Sequence, residues 1–166
     1  MTDYVDLRRA RLRRQGFALS YTSGNSMRPL IWGGQHYVAV VPLEGEPAPG
    51  DLLLFVNRLH GEEKNLLHRL VEIRQSGGRR LYITRGDNCL LCEQVRRSDI
   101  IGRVAEIHRI SGFRPWHAIP RKRFAVTDSS YLIYTRIWEI IWPVRRVCYR
   151  LRGYARALAA RMSLKH

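Results

Sequence analysis

At 166 residues the chain has room for one compact domain and an appendage, and too little for two full domains. Hydrophobic residues at 45% and charged residues at 26% lie close to globular averages, which excludes wholesale disorder. The net charge of +15 points to an anionic partner, lipid or nucleic acid. Nearly all of that charge is arginine: Lys64, Lys122 and Lys165 are the only lysines. Three cysteines, an odd number, argue against a disulfide framework and for a reducing compartment. Cys89 and Cys92 form a C-x-x-C without a second pair at zinc spacing, and two loop cysteines without a role are the plainer reading. The arginine-rich N-terminus lacks the apolar segment of a secretory signal, and no run approaches the roughly 20 apolar residues that cross a bilayer.

In chain order, residues 4–16 read as a short basic helix ended by Gly16. From Phe17 to about Ile110 the texture changes to short runs rich in Val, Ile, Leu and Tyr, which suit strands: FALSYT, HYVAVVPL, DLLLFVN, LLHRLVEI, RLYITRG and IIGRVAEIHRI. Pro47, Pro49-Gly50 and Gly77-Gly78 supply turns, and QSGGRR reads as a hairpin loop. Residues 17–112 are therefore expected to form a mainly β, mostly antiparallel domain. Residues 113–166 are expected to hold a basic, proline-broken linker (FRPWHAIPRKR) and then helix, capped by Asp128 or Ser129 and kinked or interrupted at Pro143.

Four stretches carry chemistry. Ser23-Gly24-Asn25-Ser26-Met27-Arg28-Pro29 follows a strand and precedes a proline, so a tight turn there presents a hydroxyl together with backbone N–H groups. Acyl transfer needs both, as nucleophile and as oxyanion donors. Pro49-Gly50-Asp51 feeds a buried strand. His68 sits inside an apolar strand, where a lone histidine is more often structural. The fourth is Thr84-Arg85-Gly86-Asp87-Asn88, followed at Arg97 to Val104 by a strand containing Gly102-Arg103-Val104.

The order SMRP at 26–29, PGDLLLF at 49–55, HRLV at 68–71, RGDN at 85–88 and IIGRV at 100–104 resembles the type I signal peptidase and repressor-peptidase superfamily, over roughly residues 17–110. Histidine rather than lysine before Arg69 resembles its histidine-base branch. The resemblance implies a twisted antiparallel β-sheet peptidase domain and a serine endopeptidase that cleaves a leader or signal-like peptide. Ser26 would be the nucleophile and His68 the general base. An ordinary imidazole titrates near about 6.5, so it accepts a proton at neutral pH without the desolvation a lysine base requires. Lys64, in the polar loop HGEEKN, is a poor alternative base. Two carboxylates compete to orient His68: Asp87 of the Gly-Asp-Asn box, and Glu93, where the branch usually carries aspartate. Gly24, Asn25 and Met27 complete the expected oxyanion and substrate-binding turn. Gly24 departs from the serine that membrane-bound relatives carry there, leaving the oxyanion to backbone N–H groups.

No metal or cofactor is expected. The expected partner is a peptide or preprotein. Aromatics and arginines in the C-terminal segment suit either an anionic membrane surface or a helix packed on the β domain with its arginines in water. Nucleic acid is disfavoured, since no helix-turn-helix pattern is present. The expected location is the cytoplasm, peripherally on the inner face of the membrane. Two other readings stand beside this one. Self-cleavage would need a scissile segment within the 25 residues before Ser26. A catalytically silent fold would bind peptide, membrane or nucleic acid.

Overall fold

The computed structural model describes residues 4–58, 63–111 and 119–163. The fold is mainly β. Helix α1 (Tyr4–Gln15) buries Val5 and Leu12 and lies against the strand Ile100–Ser111. Arg9 ties it down, donating through Nε to the Ile100 carbonyl at 2.7 Å.

The strands are β1 (Ala18–Tyr21), β2 (His36–Val41), β3 (Leu52–Asn57), β4 (Lys64–Ser76), β5 (Arg79–Arg85), β6 (Glu93–Val95), β7 (Ile100–Ser111) and β8 (Ile119–Ala125). They make one sheet in the order β1-β2-β7-β3-β4-β5-β6, with β8 paired to β7. Every pairing is antiparallel. β3 reads as a continuous apolar run because all five residues from Leu52 to Val56 are buried, covered on both faces. One core cluster gathers Leu53, Phe55, Leu70, Tyr82, Val95 and Ile100; fully burying side chains of this kind stabilises by about 1.5–3 kcal/mol each.

Three expectations need correction. The segment expected as linker contributes β8, whose backbone pairs with β7 from Glu106↔Ala125 to Ser111↔Ile119. Proline had marked it as non-strand, yet among the described residues β8 pairs with β7 alone, and an edge strand tolerates a missing N–H at Pro120. By contact the chain divides into two compact units at Leu132/Ile133. The C-terminal segment is one helix, α2 (Ser129–Ser163), which continues through Pro143 without interruption. The Asp128 carboxylate does not cap it: Oδ2 accepts from the Ala125 N–H at 2.8 Å, while the Asp128 carbonyl accepts from Tyr131 and Leu132. Among the described residues no helix is long and apolar enough to cross a membrane.

Candidate active site

Ser26 lies on the connection between β1 and β2, in a turn closed by Arg28 N–H to the Asn25 carbonyl (3.3 Å) and Ile31 N–H to the Met27 carbonyl (2.9 Å). Its base is drawn tight by Gly33 N–H donating to the Gly24 carbonyl at 3.2 Å. A Cβ on Gly33 would stand 2.2 Å from that same carbonyl oxygen, so any side chain there would push the turn open. Met27 is buried beneath the turn, Ser26 is half-buried and Asn25 exposed. Among the described residues, the backbone N–H groups of Ser26 and Met27 have no hydrogen-bond partner.

The Arg85–Asn88 box clamps this turn from the other side. Asn88 donates its N–H to the Ser26 carbonyl at 2.7 Å, and its Nδ2 to the Asn25 carbonyl at 3.3 Å. Gly86 is the point of closest approach. A Cβ there would meet the Ser26 carbonyl oxygen at 2.7 Å, Cys89 Sγ at 2.9 Å and His68 Nε2 at 3.0 Å. The Ser26 main chain and the imidazole therefore converge on one small volume, and only glycine leaves that volume open.

His68 is buried on β4, opposite Leu53 in register, with its ring edge-on to Phe55 at 6.1 Å. Its Nδ1 meets Glu93 Oε2 at 2.9 Å. A carboxylate only accepts hydrogen bonds, so Nδ1 carries the hydrogen and Nε2, which faces Gly86, keeps its lone pair. Glu93 is placed by β6, which pairs it with Thr84, and the Thr84 hydroxyl donates to the same Oε2 at 3.4 Å.

Asp87 meets Arg69, and Glu93 meets His68. The Asp87 carboxylate takes both fork donors of Arg69, Nε to Oδ1 and Nη2 to Oδ2, each at 2.8 Å. Neighbouring residues on a strand point to opposite faces, so Arg69 and His68 diverge and their two carboxylates are partitioned between them. The Arg69 side is closed by Nη1 to the Gly50 carbonyl (3.1 Å) and to Tyr131 Oη (2.9 Å); the Tyr131 hydroxyl in turn donates to the Gly50 carbonyl at 2.7 Å. Pro49-Gly50-Asp51, the residue after the base and the Gly-Asp-Asn box are thus parts of one buried network.

A cleft of about 670 Å³ runs alongside Ser26. Ser20–Met27 form one wall and Lys64–Leu67 another, with Val38 and Leu54 at its floor. His68, Asp87 and Glu93 do not line it. Lys64 does, standing at the exposed start of β4. Residues 64–68 of β4 have strand partners on β3 alone among the described residues, since β5 joins only from Arg69 onward.

Sequence reasoning left four residues unassigned here: Gly33, Thr84, Cys89 and Tyr131. Cys89 had been read as a plain loop cysteine, yet its sulfur borders the Ser26–His68 meeting point. Burial pushes its thiol pKa up, and the nearby Glu93 and Asp87 carboxylates add to the rise. Among the described residues no three His, Cys, Asp or Glu side chains gather in a group able to hold a metal ion. Comparisons with protein-family models, with curated proteins and with solved structures found no match to this chain, so the functional reading rests on this geometry and on the motif order.

Proposed function

We propose that the chain is a serine endopeptidase of signal-peptidase type, with Ser26 as nucleophile, His68 as general base and Glu93 as the residue that orients it. One observation carries the reading. The His68 ring is held at Nδ1 by a carboxylate while its Nε2 converges with the Ser26 turn at Gly86. A core histidine satisfied for packing alone has no need of a glycine kept open between its second nitrogen and a serine.

The chemistry follows in two halves. Ser26 Oγ attacks the scissile carbonyl as Nε2 takes its proton, and the imidazolium is stabilised by Glu93. The oxyanion is received by the Ser26 and Met27 N–H groups; a donor of this kind is worth about 3 kcal/mol in the transition state. Nε2 then gives the proton to the departing amine, leaving an acyl-enzyme. Water attacks next, with Nε2 again accepting a proton, and Ser26 is released with a free carboxylate on the product.

The substrate is an extended peptide. Main-chain groups of Asn65–Leu67, which line the cleft, suit a strand laid into it, which would bring its carbonyl to Ser26. Cleavage of a leader or signal-like peptide is the substrate class implied by the motif resemblance.

The test is labelling of purified protein with a fluorophosphonate probe. Wild type is expected to label, and Ser26→Ala and His68→Ala to lose the signal while keeping their far-UV spectrum. Equal labelling of all three would remove the hydrolase reading and leave a peptide-binding fold.

A further inference from the structure

From Ile133 onward, α2 carries a second organised surface. Ile133, Ile137, Ile140, Val144, Val147 and Leu151 recur at alternating intervals of four and three residues. All are more than half exposed, from 51% at Ile137 to 75% at Ile140. At about 100° per residue they share one narrow stripe, on the side of the helix away from buried Thr135 and Trp138. The helix sequence also holds seven arginines against a single acid, Glu139. Arg136 stands beside the stripe on one side and Arg145 on the other, while Arg146 falls nearer the Thr135 face. Aromatic rings hold two of these cations: Arg145 lies over Trp138 at 4.2 Å and Arg146 over Trp142 at 5.4 Å.

We propose that α2 seats on an anionic phospholipid surface, its axis in the membrane plane, with the apolar stripe in the acyl boundary and the flanking arginines on phosphate. An apolar stripe between cationic margins is the pattern of a helix that lies in the interface, and long arginine stems let the charge reach headgroups while the helix sinks. A second copy of α2 fits the three-four spacing, but it would bring arginine margins together with one glutamate per chain to oppose them, and like charges at such flanks repel. This surface is independent of the peptidase reading and stands whether or not Ser26 reacts.

The experiment is co-sedimentation of the full chain with vesicles of phosphatidylglycerol and phosphatidylcholine, beside vesicles of phosphatidylcholine alone. The chain is expected to sediment with the anionic vesicles and to stay in solution with the neutral ones. Ile140→Ser with Val147→Ser leaves the charge unchanged and removes buried methyl groups, so partition is expected to drop about tenfold or more. Arg136→Gln with Arg145→Gln is expected to weaken binding to the anionic vesicles several-fold, and it decides the matter should the serine variant lose its helix. Failure to sediment with anionic vesicles overturns the proposal. So does equal partition of the serine variant and wild type, which would mean adsorption by charge alone. A dimer in sizing experiments that the serine variant dissociates, without lipid binding, also overturns it and assigns the stripe to a second copy.

Discussion

His68 and Arg69 are successive residues of β4, each meets a carboxylate, and the two pairs differ in nearly every other respect. Arg69 and Asp87 have side chains only 1% exposed. They share two parallel hydrogen bonds, and the remaining arginine donors reach Gly50 and Tyr131. His68 and Glu93 share one bond, Glu93 keeps contact with solvent, and the second imidazole nitrogen stands against Gly86 with no hydrogen-bond partner among the described residues. Saturation fixes geometry; an unspent nitrogen permits proton transfer. One strand therefore carries a clamp on one face and, on the other, the imidazole proposed as general base, and the clamp holds the strand that this imidazole rides on.

The sharpest way to break this contrast is Glu93→Gln. An amide offers Nδ1 both a donor and an acceptor, so the ring can turn its hydrogen toward Nε2 and cease to be a base. By analogy with amide replacement in other triads, the rate of probe labelling should fall about 10³–10⁴-fold, with the thermal midpoint nearly unchanged. Retention of labelling would reduce Glu93 to a bystander.

Asp87→Ala should reverse the pattern. It leaves the Arg69 guanidinium buried without its counter-ion, which costs about 3–5 kcal/mol, read as a lowered urea midpoint. Labelling in the folded fraction should persist, because His68 and Glu93 are untouched. An unfolding midpoint equal to wild type would mean that the clamp contributes nothing.

What the sequence disclosed and what it hid divide along the same line. Strands with a long apolar or alternating run, β2 to β5 and β7, are legible because burial on one or both faces writes itself into residue type. β6 is three residues long and carries no period, so Glu93 could be proposed as orienter only from motif resemblance, and the choice against Asp87 required the register with Thr84. β8 was hidden by proline. The Ser26 turn was legible through glycine and proline, but Gly33 was not, since its constraint is a close approach to a residue nine positions earlier. Tyr131 joins the clamp from the first turn of α2, a contact no local pattern announces.

Tyr131→Phe sharpens the clamp from that distant side. Removing the hydroxyl deletes one neutral bond to Gly50 and one partner of Arg69, while Nη1 retains the Gly50 carbonyl. A loss of about 1–2 kcal/mol is expected, smaller than that of Asp87→Ala. In the double variant the two losses should not add, because both groups serve the same guanidinium. Full additivity would mean that Tyr131 stabilises α2 locally and stands outside the network.

The smallest expected effect probes the reactive side through Cys89. Its thiol pKa is raised, chiefly by burial and then by Glu93 and Asp87, so its thiolate fraction at neutral pH lies below that of an ordinary cysteine. Since the thiolate is the nucleophile, iodoacetamide should modify Cys89 a few-fold more slowly in the folded chain than in denaturant at pH 7. The ratio should narrow as pH rises through the thiol range, and site-resolved mass spectrometry reads it directly. Glu93→Gln removes one of the two carboxylates that raise this pKa, so it should speed Cys89 modification at pH 7 even as it abolishes Ser26 labelling. Opposite responses of two nucleophiles to one substitution are what a shared site predicts. If Cys89 reacts at the same rate with and without the Glu93 charge, the sulfur lies outside the electrostatic reach of the pair that orients His68, and the convergence at Gly86 is looser than its distances imply.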